Sequence, residues 1–532
     1  MNMDHTRAFA EFETFYGLFK PLTPYGRLYK EKRPFFTSPA ALKTEYDLTA
    51  AMGTFLSAQK HKADRLRFHL RNIPALDLSS EALASTPGLF TARKFLSNTR
   101  EIFKMLPATL RAKLGARWES AELLELLDIG GRGEAFHIAD AYCADLAAVR
   151  REIAGCDASM KKLREKRLKE LRERWGLDFS DRDFLVIDEK AAARLAAAPE
   201  LFIEPFDGAH LTVKPVYGVD YMEAAAARDR LRAKEQELEA SVVKRLAAAV
   251  TAGKNTIEAC AAAIERTDIA AERARLAKEL RLERPLIRKY PSHIRLAKAR
   301  FLPLELRLEG SGLKYTPLTA IFSRRVNVIY GSNMGGKTVA LKTLAFMQLA
   351  AQSGFFTPAA AFETCLFDGM AFMGGSEMET AGGLSSFGLE MNDFASAHER
   401  MKSGNILVFM DEFARTTNSE EAAALLSAIL EDLEARPAAF AFLATHFSGL
   451  RAGGTARFKM RGFDTEAFNE YFSGKPAYGL DEKLKMINKF MRYELREGAE
   501  GEEARDAIKI AGILGVSKAI IKRAQNLMED EQ

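Results

Sequence analysis

Cysteine is scarce in this sequence of 532 residues, and long apolar runs are missing. The four cysteines, at positions 143, 156, 260 and 365, form no CxxC pair and have no histidine cluster near them. The sequence therefore predicts neither a zinc site nor a disulfide framework, and it fits a reducing cytosol. No segment offers about 18 uninterrupted apolar residues, and the N-terminus lacks a basic start followed by an apolar stretch. We therefore expect a cytoplasmic protein with no membrane span and no signal peptide.

The excess of charge of either sign is also small. The net charge of +5 does not by itself predict a nucleic-acid ligand, because a local concentration of basic residues matters more. Apolar residues make up 47% of the chain and charged residues 28%, which is typical of a soluble globular protein. The length predicts two to four domains.

Before residue 300 the sequence has mainly helical patterns. Residues 139–175 and 221–280 have few helix breakers, and the second run is interrupted only near residues 251–254, so we expect two long helices. Between them lie the short β-branched and aromatic runs FLVIDEK, LFIEPF and HLTVKPVYG, which predict a small β-rich tip at about residues 176–220. The alternative is a helical domain with an irregular excursion. We predict a mainly helical domain over residues 1–300.

After residue 300, apolar strands alternate with helices. Strands are predicted at 325–330, 405–410 and 438–443, and helices at 337–353, 419–435 and 506–531, the last broken at its glycines. This alternation predicts a mainly parallel sheet that is covered on both faces. The fold class expected for residues 301–532 is therefore α/β.

The segment GSNMGGKT, residues 331–338, fits the pattern GxxxxGK[ST] between a predicted strand and a predicted helix. Its glycines allow backbone N–H groups to turn toward phosphates, and the N-terminus of the helix adds a favourable field. Lys337 would neutralise the β- and γ-phosphates of a nucleotide, and the Thr338 hydroxyl can bind Mg²⁺. The sequence therefore predicts a phosphate-binding loop.

Polar residues follow two further strands. NILVFMDE ends in Asp411 and Glu412, and LATH ends in His446. The carboxyl edge of an α/β sheet is where such proteins bind ligands. Asp411 would hold Mg²⁺ through a water, and Glu412 is the candidate to polarise an attacking water. A histidine after a strand is more often structural, so the prediction for His446 depends on the two motifs before it.

NMGGKT, SSFGLEMNDFA, LVFMDEFARTTN and LATHF, in this order and spacing, resemble the ATPase domain of the MutS mismatch-repair family. The resemblance is strong after residue 326 and faint before it. It implies a P-loop NTPase domain of the ABC type at the C-terminus, a lever domain whose tip is a clamp-like insert, and a C-terminal helical segment for dimerisation. The cofactors implied are ATP and Mg²⁺.

The resemblance also assigns site residues and a homodimer. Ser385 takes the place of the signature serine, which in the family reaches the γ-phosphate bound by the opposite subunit, and His446 that of the switch histidine. Thr338 and Asp411 would bind the metal, and Glu412, His446 and Ser385 would serve hydrolysis. The residues implied in nucleotide binding are Gly331, Asn333, Met334, Gly335, Gly336, Lys337 and Thr338.

Two stretches depart from the family pattern. Residues 415–418 read RTTN, without the glycine usual after the acidic pair, and residues 383–386 read GLSS, where the family has an arginine. The segment that would pack on adenine is not recognisable. Nucleotide binding is less affected by these departures than the coupling of hydrolysis to other events.

Phe9-Ala-Glu11 matches the Phe-x-Glu wedge of mismatch readers, but the helical-core pattern begins within about a dozen residues of it. We therefore interpret the tripeptide as part of an ordinary amphipathic helix and expect the mismatch-recognition and connector domains to be missing. Residues 161–174 (KKLREKRLKELRER) hold eight basic and three acidic residues. They could contact DNA phosphates without reading sequence, or form a solvated helix with salt bridges four residues apart, such as Glu165 with Lys169 and Glu170 with Arg174.

Two functions from different classes remain open. In the first, a dimeric ATPase of the mismatch-repair type binds distorted DNA through its helical arms. In the second, the same ATPase acts on a protein client as a chaperone-like or reactivating factor. The resemblance to a DNA-handling family places the first ahead of the second.

Overall fold

The computed structural model describes residues 3–129, 138–180, 182–289, 293–310, 315–331, 335–374, 386–415, 417–437, 439–447, 449–451, 453–472, 490–498 and 506–530. Contacts divide the chain into two compact units. The first consists of Met1–Arg67, Ala108–Leu114 and Glu265–Gln532, and the second of Phe68–Pro107 and Gly115–Ile264. This division differs from the boundary predicted at residue 300, because the N-terminal 67 residues pack with the C-terminal part of the chain.

The helices are α1 (Asp4–Phe9), α2 (Phe12–Tyr16), α3 (Pro24–Glu31), α4 (Pro39–Ala58), α5 (Lys60–Arg71), α6 (Ser80–Leu83), α7 (Thr86–Met105), α8 (Ala108–Leu114), α9 (Ala121–Asp128), α10 (Ala144–Trp175), α11 (Glu189–Leu195), α12 (Val219–Ala252), α13 (Lys254–Glu279), α14 (Leu302–Gly310), α15 (Lys337–Gln352), α16 (Ser386–Arg400), α17 (Ser419–Ala435), α18 (Thr465–Phe472), α19 (Asp506–Leu514) and α20 (Lys518–Asp530), with a 3-10 turn at Asp140–Tyr142. The strands are β1 (Leu185–Asp188), β2 (Leu201–Pro205), β3 (His210–Pro215), β4 (Leu286–Ile287), β5 (Ile294–Ala299), β6 (Leu318–Phe322), β7 (Val326–Tyr330), β8 (Ala361–Thr364), β9 (Gly369–Met373), β10 (Ile406–Asp411), β11 (Ala439–Thr445), β12 (Ala456–Phe463) and β13 (Met491–Glu497).

In the second unit the long helices α10 and α12 pack along each other. Arg150 joins them, since its guanidinium bonds to Glu235 at 2.7 Å and to Glu239 at 2.5 Å. Beyond α10 lies an antiparallel sheet in the order β1-β3-β2, whose inner face packs around the buried Val213 and Leu171. The predicted long helices and short strands are therefore confirmed, and the predicted interruption falls at Gly253, between α12 and α13.

The first unit is built on a six-stranded sheet in the order β13-β12-β7-β11-β10-β9. All neighbouring pairs are parallel except β12 with β13. Successive residues of β10 face opposite sides: Phe409 packs with α15 and the N-terminal helices, and Met410 packs with α16 and α17. The predicted mainly parallel sheet with two covered faces is confirmed.

The N-terminal helices cover the face of this sheet that carries α15. Phe12 and Phe15 contact Phe346 of α15 with ring centroids 5.8 and 5.5 Å apart. A second, four-stranded sheet in the order β4-β8-β5-β6 lies in the same unit. The apolar positions of residues 1–19 thus belong to the core of the C-terminal sheet, and a boundary at residue 300 would divide that core.

The C-terminal helices α19 and α20 complete the first unit. Ile510 of α19 is buried with Phe463, Phe490 and Met491, so α19 packs near the start of β13. Across the residues that the structure describes, no helix combines the length and the apolar character needed to cross a membrane.

Candidate nucleotide-binding site

The loop between β7 and α15 holds the predicted phosphate-binding residues. Gly331 and Gly336 have φ angles of +152° and +92°, which favour glycine. A Cβ atom on Gly336 would lie 2.8 Å from Cδ1 of Tyr493, and one on Gly331 would lie 3.2 Å from Cβ of Met460. The loop therefore needs glycine for conformation and for space. Asn333 and Met334 lie outside the described residues, whereas Gly335 is described and buried.

Lys337, the first residue of α15, turns its side chain back over this loop. The side chain is only 2% exposed, and Nζ donates to the carbonyl oxygen of Gly331 at 2.6 Å. Nζ also lies 3.8 Å from Oε1 of Glu412. Burial lowers the pKa of Lys337, and the charges of Glu412 and Asp411 oppose that change. The Lys337 ammonium group thus lies between two oxygen acceptors, the Gly331 carbonyl and the Glu412 carboxylate.

Asp411 ends β10, and its carboxylate meets Thr338. Burial raises the pKa of Asp411, and a hydrogen bond from the Thr338 side chain acts in the opposite direction. Oδ1 of Asp411 is buried and has no hydrogen-bond partner among the residues that the structure describes. A buried carboxylate oxygen without a partner is costly. A carboxylate with a hydroxyl bonded to it is the type of donor set that a hard cation takes.

Glu412 lies at the centre of the charged groups. Its Oε1 is 3.9 Å from Nδ1 of His446, and its Oε2 accepts a hydrogen bond from Arg415 at 3.1 Å. Together with Lys337, these neighbours place three nitrogen groups around one carboxylate that is 17% exposed. The strand order brings them together, because β11 lies between β10 and β7 and ends one residue before His446.

The backbone around Glu412 is conformationally unusual. Glu412 has φ +49° and Ala414 has φ +63°, and left-handed residues other than glycine cost about 1–3 kcal/mol each unless their surroundings hold them. The Glu412 amide donates to the carbonyl of Ala444 at 2.9 Å. The Ala414 amide donates to Oε2 of Glu390 at 2.9 Å. Both left-handed residues are therefore held by hydrogen bonds to neighbouring elements.

Several of these groups were not predicted from the sequence. Arg415 and Glu390 lie in the stretches LVFMDEFARTTN and SSFGLEMNDFA, but neither was assigned a role from the sequence, and Tyr493 lies in no motif. Tyr493 is 157 residues from Gly336, and no local pattern joins them. Burial raises the pKa of Glu390, which its bond from the Ala414 amide opposes. Ser385 lies outside the described residues, and α16 begins at the next residue.

The described residues contain no group of three or more histidine, cysteine, aspartate or glutamate side chains that could hold a metal ion. Magnesium does not need such a group. It keeps several waters and is held through one or two protein ligands together with substrate phosphates. The pair Thr338 and Asp411 therefore fits Mg²⁺ bound with a nucleotide and does not fit a metal held by protein ligands alone.

The Phe-x-Glu tripeptide packs into the first unit. Phe9 stacks on Phe372 of β9 with ring centroids 3.8 Å apart. Glu11 forms ion pairs with Arg307 and Lys342. The segment is not one helix as expected. Phe9 ends α1, and Ala10 and Glu11 form the turn before α2, where Glu11 has φ +47°.

The basic run of α10 is largely paired with carboxylates. Lys161 lies 4.0 Å from Glu165, and Lys169 lies 3.8 Å from Glu173. The pairs predicted from the sequence joined Glu165 to Lys169 and Glu170 to Arg174, so the spacing was right and the partners differ. Pairs as exposed as these contribute only about 0–1 kcal/mol, and their lysines can exchange carboxylates for other anions.

The comparisons with known proteins agree with the resemblance. Residues 327–531 match the family model described as MutS domain V. "Endonuclease MutS2" of Lactobacillus acidophilus is 29% identical over 57% of this chain and 36% of its own length. "DNA mismatch repair protein MutS" of Granulibacter bethesdensis is 28% identical over 64% of this chain and 34% of its own length. "DNA mismatch repair protein MutS 2" of Halobacterium salinarum is 27% identical over 64% and 37%.

The matched region spans about a third of the length of these relatives. The match to the family model begins at Asn327 in β7 and includes the phosphate loop, Asp411, Glu412 and His446. On these comparisons, the C-terminal part of the chain carries a MutS domain V, and the matches to MutS and MutS2 proteins support a divergent relationship to the MutS family.

Proposed function

We propose that this protein binds ATP with Mg²⁺ at the edge of the six-stranded sheet and hydrolyses it as a homodimer in a reaction coupled to DNA. The observation that carries the proposal is the position of Oδ1 of Asp411. This oxygen is buried without a partner in the described part of the chain, on a carboxylate that Thr338 also bonds, and the neighbouring loop leaves no room for a Cβ atom at Gly336. The Mg²⁺ of bound MgATP would supply the cation that this oxygen lacks.

Each side chain has a separate role in binding or hydrolysis. Lys337 exchanges the carbonyl of Gly331 for phosphate oxygens, and Thr338 and Asp411 hold the cation. Glu412 accepts a proton from the attacking water, and His446 holds the side of that carboxylate opposite Arg415. The loop glycines 331, 335 and 336 with Asn333 and Met334 cradle the phosphates, and Ser385 acts on the nucleotide of the partner subunit.

Removal of the base separates binding from hydrolysis. Glu412→Gln should still bind ATP, but its turnover should fall about 100-fold or more, since a general base contributes about 10²–10⁴-fold to the rate of a reaction. Lys337→Ala should lose ATP binding. The matched control is Glu399→Gln, an exposed glutamate of α16 that pairs with Lys402, which should change neither quantity. Nucleotide affinity is measured with a fluorescent analogue and turnover by phosphate release. Normal turnover by Glu412→Gln would contradict the role of Glu412.

The names of the relatives provide the link to DNA, since they describe an endonuclease and DNA mismatch repair proteins. None of these names favours a protein client. We propose that the protein is cytoplasmic and that its partner is DNA with a distorted structure. ATP hydrolysis should therefore rise with branched or mismatched duplex, and binding should weaken steeply with salt. No stimulation together with a flat salt dependence would favour the protein client.

A further inference from the structure

A buried carboxylate on α16 is bonded to the turn that carries the proposed catalytic base. Glu390 is 7% exposed, and its Oε2 accepts the hydrogen bond from the Ala414 amide at 2.9 Å. Ala414 is fully buried and follows Glu412 by two residues. A carboxylate this deeply buried needs partners, and an amide on the catalytic turn provides one.

The hydrogen bond from Ala414 to Glu390 is made at a residue whose backbone conformation is unfavourable. Glu412 and Ala414 both have left-handed φ angles, which persist only where the surroundings impose them. The β11 carbonyl of Ala444 holds the first residue, and Glu390 holds the second. Phe394 of α16 also lies against Phe413, with ring centroids 6.1 Å apart. Helix α16 therefore contacts the turn through a hydrogen bond and through an aromatic pair.

The turn determines where the Glu412 carboxylate points. In the observed conformation Oε1 lies within 4 Å of both Lys337 and His446, and Oε2 bonds to Arg415. Arg415 is also close enough to attract the Glu390 carboxylate. If Ala414 returned to a right-handed conformation, the preceding residues would rotate and the Glu412 carboxylate would leave these partners. The position of α16 is thereby coupled to the direction of the base.

We propose that Glu390 is a positioning residue for ATP hydrolysis, which makes the geometry of Glu412 depend on the position of α16. This inference rests on the proposed ATPase function. Helix α16 begins at Ser386, beside the serine proposed to act on the partner's nucleotide.

The test compares three substitutions of Glu390 that differ in reach and chemistry. Glu390→Met fills the site without an acceptor, and Glu390→Asp keeps the charge but is one methylene too short to reach the Ala414 amide. Glu390→Gln keeps an acceptor oxygen at the original distance. We expect the Met and Asp variants to lose at least tenfold in kcat with nucleotide Kd changed less than twofold, and the Gln variant to stay within about threefold of the original kcat.

A double variant isolates the path through the base. In a Glu412→Gln background, adding Glu390→Asp should lower the residual rate less than twofold, since the base is already lost. Glu399→Met, on the same helix but exposed, is the control for helix stability and should leave kcat and Kd unchanged. Because Glu390→Met could lower expression, the Asp and Gln pair is sufficient for the comparison.

The outcomes separate this inference from the proposed function. If the unmodified protein hydrolyses ATP and Glu412→Gln does not, but Glu390→Asp keeps full kcat, the positioning role is overturned. It is also overturned if the Asp and Gln variants lose kcat equally, or if they lose nucleotide affinity in proportion to kcat. If the unmodified protein does not hydrolyse ATP, the proposed function fails before Glu390 is tested.

Discussion

Gly336, at the end of the phosphate loop, has no room for a side chain. The residue has φ +92°, and a Cβ atom there would lie 2.8 Å from the ring of Tyr493. Gly336→Ala should therefore distort the loop or displace Tyr493, and we expect nucleotide affinity to fall at least tenfold. Adding Tyr493→Ala relieves the steric clash but not the left-handed backbone, so the double variant should recover only part of the affinity. Titration with a fluorescent ATP analogue measures both.

Gly155 in α10 is the matched control for that substitution. Nothing lies within 4 Å of a Cβ atom built at Gly155, and the residue is inside a helix. Gly155→Ala should stabilise the protein by about 0.5–1 kcal/mol and leave nucleotide affinity unchanged. If Gly336→Ala binds the nucleotide as well as Gly155→Ala does, the close approach to Tyr493 does not restrict the side chain at position 336.

The sequence predicts residue positions only where the chemistry is local. The spacing GxxxxGK[ST] and the two carboxylates after an apolar strand are sufficient to identify Lys337, Asp411 and Glu412 as candidates. The contacts of Tyr493 and Glu390 depend on strand order and on the φ angles of the turn after β10, and no short sequence pattern predicts either contact. The roles of Tyr493 and Glu390 could be recognised only from the structure.

At the scale of elements, Arg273 links the C-terminal part of α13 to the C-terminal end of α15, the helix that follows the phosphate loop. Its side chain is 1% exposed and forms an ion pair with Glu45 of α4, and it donates to the carbonyl of Ser353 at 2.9 Å. Ser353 directly follows α15. Arg273→Met would leave the Glu45 carboxylate and this carbonyl unpaired. Breaking a buried pair on one side costs about 3–5 kcal/mol, and we expect the lower end because Glu45 is 20% exposed.

Urea unfolding of Arg273→Met followed by circular dichroism measures this loss. The control is Lys402→Met, which removes an exposed pair with Glu399 and should cost about 0–1 kcal/mol. Equal unfolding midpoints for the two variants would show that Arg273 does not anchor α15. Replacing both Arg273 and Glu45 by apolar residues should recover part of the loss, since no charge is then left unpaired.

Element boundaries were predictable where strong periodicity or turn residues define them. Helix α17 runs over Ser419–Ala435, as predicted, and α15 ends one residue before the predicted position. The four-stranded sheet was not predicted, because its strands are short and come from segments far apart in the chain. Pairing between distant strands depends on tertiary contacts that no local window contains.

At the scale of the whole molecule, the sequence order misleads about the units. A change of composition near residue 300 suggested a boundary there. The N-terminal 67 residues nevertheless share a unit with the C-terminal sheet, because the aromatic side chains of α1 and α2 complete the apolar face against α15. Such a core is assembled from both ends of the chain, and composition along the chain does not show it.

The proposed partner also belongs to this scale, because a net charge of +5 leaves DNA binding to local charge. Lys161 and Lys169 of α10 are each 77% exposed, and their carboxylate partners hold them only weakly. If they bind phosphates, replacing both by alanine should weaken duplex binding at about 50 mM salt. The slope of log affinity against log salt should become shallower by about 0.9 for each phosphate that is no longer neutralised, whatever the DNA sequence.

The control for this pair is the same charge change on α7, where Lys94 and Lys104 are exposed. Alanine is the best helix former, so neither double variant should unfold its helix, which circular dichroism checks. We expect the α7 variant to keep the original affinity and salt slope. If both double variants change the slope equally, the basic run has no special role. If neither does and DNA still binds, the DNA-binding surface lies elsewhere, and α10 is a solvated helix held by its salt bridges.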